Sequence, residues 1–198
     1  MASDPPFVLM IAGPNGSGKT TLTTQLRADG VDLGHYINPD EIAKALSGSY
    51  EDRVRAAQGI AAAERQTCVR ERRSFSFETV MSHPSKFEVL REARALGFRT
   101  ALYFVATESP SLNVARVAQR VRLGGHDVPE DRIRQRYVRT LDLLPQALDQ
   151  ADLAVLFDNT HGAPALLRPF CDLTNGKITL APPIPDWARP ALRHLVPL

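Results

Sequence analysis

Eight residues near the start of the chain, Gly13-Pro14-Asn15-Gly16-Ser17-Gly18-Lys19-Thr20, have the form G-x-x-x-x-G-K-[ST]. These residue types at this spacing make an anion cradle. Glycines permit torsions that turn successive backbone N–H groups inward. A helix starting at Lys19 adds its unsatisfied N–H groups and positive dipole end. Lys19 then reaches the β- and γ-phosphates of a nucleoside triphosphate, and the Thr20 hydroxyl is placed to ligand Mg²⁺. Thr21 follows on the same turn. The motif specifies a ligand and not a reaction, because motors, GTPases, transporters and small-molecule kinases share it.

Two carboxylates are candidates for the chemistry beyond binding. Asp40 lies in Ile37-Asn38-Pro39-Asp40-Glu41, just after a short apolar run. This stretch is also an ordinary helix start, with Asn38 as N-cap, Pro39 in the first position and Glu41 closing a capping box. The readings are compatible. Asn38 can cap the helix while Asp40 faces the crevice at the strand ends and takes the proton of an acceptor hydroxyl. Glu78 ends a second apolar run, Phe75-Ser76-Phe77-Glu78-Thr79. It could bind substrate hydroxyls or a water of a Mg²⁺ shell. The next helix has its own capping box in Ser85 and Glu88, so Glu78 is not needed as a cap.

The stretch from Asn113 to Thr140 supplies arginines. Arg116 and Arg120 lie four apart, and Arg132, Arg136 and Arg139 share a face of the following helix. The apolar stripe of that second helix is Ile133, Tyr137, Leu141 and Leu144. Gly124-Gly125-His126 breaks the pair. A hairpin of this kind can close over a triphosphate and neutralise the charge that builds on a transferring phosphoryl group. Planar guanidinium forks bind phosphate oxygens in pairs, which a lysine cannot do. Asp158 and Asn159, after the last strand of the pattern, are assigned a structural or base-side role.

The elements that must position these groups follow from periodicity. Strands are expected at Phe7–Ala12, His35–Asn38, Phe75–Glu78, Thr100–Ala106 and Leu153–Phe157. Several are unbroken apolar runs, as parallel strands covered on both faces require. Helices are expected at Lys19–Ala28, Pro39–Leu46, Glu51–Arg73, Ser85–Leu96, Ser111–Leu123 and Pro129–Leu148. The βαβα order predicts an α/β fold with a mostly parallel five-stranded sheet and helices on both faces. Residues 7–160 form the core of one domain spanning 1–198, and 161–198 an appendage. That appendage holds a hairpin, Phe170–Thr174 and Lys177–Leu180 around Asn175-Gly176, with Pro169 bounding its first strand.

Composition narrows the partners. The formal net charge is +2, which argues against nucleic acid. Of the 24 basic residues only Lys19, Lys44, Lys86 and Lys177 are lysines, a bias attributed mostly to codon usage. Two distant cysteines, Cys68 and Cys171, suit neither a disulfide framework nor a zinc site, so a reducing cytoplasm is expected. Phe7–Ala12 is too short for a membrane span or a signal-peptide core.

In order along residues 12 to 160, AGPNGSGKTT, INPDEIA, FSFETVMS, RVAQRVRLGGHDVPEDRIRQRY and LFDNT resemble the zeta toxin family of P-loop kinases. The resemblance implies ATP- and Mg²⁺-dependent phosphorylation of UDP-N-acetylglucosamine on its sugar 3′-hydroxyl. It implies Lys19 as the loop lysine, Asp40 as the base and Glu78 as a substrate-binding acid, with Asn38 and Thr79 beside them. Arg120 and Arg136 would be the phosphate-binding pair, Arg116 and Asn159 further nucleotide contacts, and an antitoxin protein a possible partner. The family's usual threonine two residues past the acid is Val80 here. Two alternatives stay open: a kinase of another small hydroxyl acceptor (antibiotic, sugar or nucleoside), and an ATPase switch acting through a partner protein. The switch reading wants an aspartate after the fourth strand, where Thr107-Glu108 stands instead.

Overall fold

The computed structural model describes residues 4–125, 127–161 and 167–196. In chain order the elements are β1 (Phe7–Ala12), α1 (Lys19–Ala28), β2 (His35–Ile37), α2 (Pro39–Ala45), α3 (Tyr50–Arg70), β3 (Phe75–Thr79), α4 (Ser85–Ala95) and β4 (Arg99–Ala106). There follow α5 (Pro110–Arg122), α6 (Glu130–Asp142), α7 (Leu144–Asp149), β5 (Leu153–Asp158), β6 (Arg168–Thr174), β7 (Lys177–Leu180), a 3₁₀ turn (Asp186–Ala188) and α8 (Arg189–Leu192).

One seven-stranded sheet runs β2-β3-β1-β4-β5-β6-β7. The first five strands are parallel, and β6 and β7 add antiparallel at one edge. Alternation along β1 divides the core. Val8, Met10 and Ala12 join Phe75, Phe77, Leu102, Phe104 and Leu156 on one face. Leu9 and Ile11 join Leu22, Leu26, Val105 and Phe157 on the other. Both faces are therefore covered, which is why β1 reads as an unbroken apolar run.

The C-terminal part departs from expectation in three ways. The hairpin is present, and Asn175 (φ 50) and Gly176 (φ 77) make its turn with two positive φ angles. It is nevertheless no appendage, because β6 pairs with β5 and extends the main sheet. Pro169 also lies inside β6, not before it. The register shifts between Leu156 and Phe157, which pair with Cys171 and Pro169, so Phe170 is an extra, bulged residue. A bulge is where a sheet can accept a residue with no N–H to donate. Lastly, Trp187, Ala188, Ala191 and Leu192 belong to the larger core cluster. The Trp187 ring stands edge-on to Phe170, 5.4 Å between centroids.

Two helix details also differ. The helix expected over Pro129–Leu148 is split, α6 ending at Asp142 and α7 starting at Leu144. Pro145 is the cause: it lacks the N–H that would bond one turn back, and its ring clashes there. Ser85 is the first residue of α4 and not its cap. His83 Nδ1 accepts the Ser85 amide instead, at 3.2 Å.

Candidate active site

The loop after β1, Asp40 and Glu78 sit at the carboxyl ends of the parallel strands. Ile11 is flanked by Glu78 on one side and Tyr103 on the other, and Ile37 pairs with Phe77. Residues just past these positions therefore share one crevice. The crevice is a cleft of about 1040 Å³, lined from the loop after β1 by Asn15, Gly16, Gly18, Lys19, Thr20 and Thr21. Gly13, Pro14 and Ser17 are buried behind that wall.

The loop can hold this shape only because three of its positions, Gly13, Gly16 and Gly18, lack a side chain. A Cβ on Gly13, at φ +150, would lie 2.0 Å from the Val105 carbonyl oxygen of β4. One on Gly18, at φ +106, would lie 2.2 Å from Asn159 Nδ2. That amide donates to the Ser17 carbonyl at 2.7 Å. Asn159 thus braces the loop from behind. Gly18 precedes α1 in the left-handed conformation and gives the helix no side-chain cap. The first N–H groups of α1 face the cleft with the dipole behind them.

Lys19 Nζ folds back to donate to the carbonyls of Gly13 (2.9 Å) and Pro14 (3.0 Å). Burial pushes its pKa below the usual lysine value, Glu78 and Asp40 oppose that, and Arg120 and Arg136 reinforce it. Asp40, Glu78, Arg120 and Arg136 therefore all act on one ammonium group.

Glu78 is buried, only 6% exposed. A carboxylate there must be met by donors. Its Oε1 accepts from Thr23 Oγ1 (2.7 Å) and Tyr36 Oη (2.7 Å), and its Oε2 from Thr20 Oγ1 (3.3 Å). Burial and the neighbouring Glu78 charge push the Tyr36 phenol above its ordinary pKa, which keeps it a donor. Asn38 links this network to α2: its Oδ1 accepts the Asp40 amide at 2.9 Å and its Nδ2 donates to Tyr36 Oη at 3.0 Å. Asn38 is thus the cap the sequence predicts. Asp40 itself is exposed on the cleft wall. Thr79 also lines the cleft, and its hydroxyl accepts the Met81 amide at 3.1 Å.

The helices α5 and α6 form the opposite wall. Arg116, Arg120, Arg132 and Arg136 line the cleft, and Arg139 does not. Arg116 Nη2 donates to the carbonyls of Asn159 (2.8 Å) and Thr160 (3.3 Å), and Arg136 Nη1 to Asn15 Oδ1 at 3.4 Å. Arg116 Nη1 is buried without a hydrogen-bond partner among the described residues. His126, expected in the break between the helices, lies outside the described residues.

Sequence reasoning passed over several members of the site. Asn113, buried on α5, donates to the Asn15 carbonyl at 2.7 Å and bonds Thr107 through its Oδ1. Tyr137 Oη donates to the Thr107 carbonyl at 2.6 Å, fastening α6 to the same loop. Thr23 and Tyr36 hold Glu78. No spacing rule marks these residues. The only available signal was polar atoms at positions the helix and strand periods point inward, as with Asn113 one turn before Val117.

A parallel sheet with this loop after its central strand, and an arginine-bearing helical wall across the strand ends, is the architecture of P-loop kinases. Comparisons with known proteins agree. The family model described as Zeta toxin matches residues 2–159. An uncharacterized protein of Haemophilus influenzae is 28% identical over 134 residues, 65% of this chain and 91% of its own length. Among solved structures, the AvrRxo1-ORF1:-ORF2 complex with ATP superposes with a TM-score of 0.66 at 15% identity, covering 97% of this chain. This chain spans 64% of the length of that neighbour. The structure of the PezAT chromosomal toxin–antitoxin system of Streptococcus pneumoniae gives a TM-score of 0.57 at 14% identity, over 80% of this chain and 70% of that one. The chain belongs to the zeta toxin family. Among the described residues, no helix is long and apolar enough to cross a membrane.

Proposed function

We propose that the protein is an ATP- and Mg²⁺-dependent kinase that phosphorylates a sugar hydroxyl of UDP-N-acetylglucosamine, with Asp40 as general base. What carries this reading is convergence. Lys19, Thr20, Asp40, Glu78, Arg120 and Arg136 come from five separate elements of the chain and line one cleft. In the reaction the acceptor oxygen attacks the γ-phosphorus while the Asp40 carboxylate takes the hydroxyl proton. The bond between the γ-phosphorus and the bridging oxygen breaks, leaving ADP. Lys19, Arg120 and Arg136 neutralise charge on the phosphoryl oxygens as it moves to the leaving group.

The donor set fits Mg²⁺. Thr20 Oγ1 and Glu78 Oε2 are hard oxygen donors side by side, and Mg²⁺ takes one or two carboxylates together with substrate phosphates. Thr20 would hold the ion directly and Glu78 through water. When bound, Mg²⁺ would offset the negative charge of the triphosphate. Family membership also supports a protein antitoxin as partner, since PezAT is a toxin–antitoxin system.

The test is product analysis after incubation with ATP, Mg²⁺ and UDP-N-acetylglucosamine, with Asp40→Asn alongside. Loss of general base catalysis should lower kcat about 10²–10⁴-fold while ATP binding is retained. Unchanged turnover in Asp40→Asn removes Asp40 as base. A phosphorylated product from some other metabolite, and none from UDP-N-acetylglucosamine, moves the assignment to a different acceptor.

A further inference from the structure

Amides that face a phosphate turn their carbonyls the other way, because C=O and N–H point in opposite directions across a planar trans peptide. The chemistry above uses the N–H side of the loop after β1, and the carbonyl side is held as well. The Asn15 carbonyl accepts from Asn113 Nδ2 at 2.7 Å, and the Ser17 carbonyl from Asn159 Nδ2 at 2.7 Å. Each bond fixes the peptide plane that carries the next N–H, on Gly16 and on Gly18 respectively. Among the described residues neither of those N–H groups donates to a backbone carbonyl. Both glycines line the cleft.

Asn113 is constrained more tightly than a packing residue needs to be. It is fully buried on α5. The Asn15 carbonyl can only accept, so the amide must present Nδ2 to it and turn Oδ1 to Thr107 Oγ1, which donates. The Thr107 carbonyl accepts in turn from Tyr137 Oη at 2.6 Å. Tyr137 stays a donor there, since burial first, and then the Glu108 and Asp158 charges, push its pKa up to about 12. The asparagine amide is therefore gripped from both sides. The loop tip comes within its reach because Gly16 has no side chain. A Cβ there would stand 2.7 Å from the Asn113 carbonyl oxygen and 3.2 Å from a Val117 methyl. Without the Asn113 amide, the Asn15 carbonyl loses its donor. Turning that peptide toward the cleft lets water satisfy it. The same turn swings the Gly16 N–H out of the cradle and puts an oxygen where an anion binds.

We propose that Asn113 is a positioning residue for the triphosphate, aiming the Gly16 amide into the cradle by holding the Asn15 carbonyl from behind. The inference rests on the triphosphate reading of the cleft and does not depend on which acceptor is phosphorylated. Asn159 holds the Gly18 amide in the same manner, so two buried-side asparagines from different elements aim two different donors.

The experiment is proton–nitrogen correlation spectroscopy of protein labelled with isotopic nitrogen in glycine only, without and with saturating Mg²⁺ and a non-hydrolysable ATP analogue. In wild type the Gly16 and Gly18 amide protons should move downfield on binding, as N–H groups meeting phosphate oxygens do. Asn113→Ala should abolish most of the Gly16 movement and leave that of Gly18, and Asn159→Ala should do the reverse. The analogue's dissociation constant should rise about 10- to 100-fold in Asn113→Ala. Asn113→Asp keeps the size and the Thr107 bond but can donate to the Asn15 carbonyl only when protonated. Its analogue affinity, as a ratio to wild type at the same pH, should therefore recover as pH is lowered. A merely structural role would weaken both glycines together and give no such recovery. The proposal is overturned by a Gly16 amide that moves in Asn113→Ala as it does in wild type, by the two alanine variants giving the same pattern, or by unchanged analogue affinity. If Asn113→Ala melts early, Asn113→Asp decides, and a ratio that does not improve at low pH refutes the aiming role. Wild type that binds no analogue sinks the triphosphate reading and this proposal with it, whereas binding with Gly16 unmoved sinks the proposal alone.

Discussion

Replacing Tyr36 by Phe deletes one oxygen at the centre of the carboxylate network. Its hydroxyl donates to Glu78 Oε1 at 2.7 Å and accepts from Asn38 Nδ2 at 3.0 Å. The ring keeps its contact with the Arg27 guanidinium, 4.3 Å from its centroid, so packing on that side is retained. What is lost is a bond to a buried charge, worth roughly 1.5–3 kcal/mol. For a chain of this size that corresponds to a fall in Tm of roughly 3–12 °C. A functional effect should accompany it. Glu78 keeps Thr23 and Thr20 but loses one of its two short bonds, so its Oε2 is less firmly aimed beside the Thr20 hydroxyl. Deleting a partner that orients a group beside a metal typically costs about 10–100-fold in metal affinity or activity. Thermal denaturation, together with a Mg²⁺ titration of ATP turnover, measures both. Tyr36→Phe melting within a degree of wild type, with the same Mg²⁺ half-saturation, would show that Tyr36 does not organise this site.

Two further outcomes follow from the same geometry. Gly13→Ala places a methyl group 2.0 Å from the Val105 carbonyl, on backbone that cannot rotate away, at φ +150. Strain and overpacking together should cost roughly 2–6 kcal/mol, read from the urea midpoint; a wild-type midpoint would contradict the close approach of β1 and β4. The Cys171 thiol, buried and beside Asp172, is pushed up from 9.0 to about 11. The raised value favours the neutral thiol in the fold, so its contribution is complete below pH 9 and is lost as pH climbs towards 11. Stability should fall by roughly 1.4 kcal/mol per pH unit across that window, and Cys171→Ala should flatten this slope in urea melts at matched pH. An equally steep alkaline loss in Cys171→Ala would assign it to other groups.

Much of the architecture was legible along the chain because its signals are local. β1 and α1 fall where period and motif placed them, since an unbroken apolar run, three positive-φ glycines and a helix start are properties of neighbouring residues. Asn38 caps α2 for the same reason. The errors arose where a local rule met a distant partner. Pro169 belongs within a strand because β5 accommodates a bulge opposite it. The terminal hairpin joins the sheet because β5 leaves an edge to pair, and Trp187 enters the core because Phe104 and Phe170 are there to receive it.

The site divides the same way. Residue type and spacing alone determined that a triphosphate cradle exists and that Asp40 and Glu78 are acids at strand ends. Only the folded chain decided what those acids touch. Glu78 stands beside Thr20, 58 positions away, because β3 pairs directly with β1. Hydrogen bonds and charge act through a few ångströms of space, and strand order sets that distance where the chain's own numbering cannot.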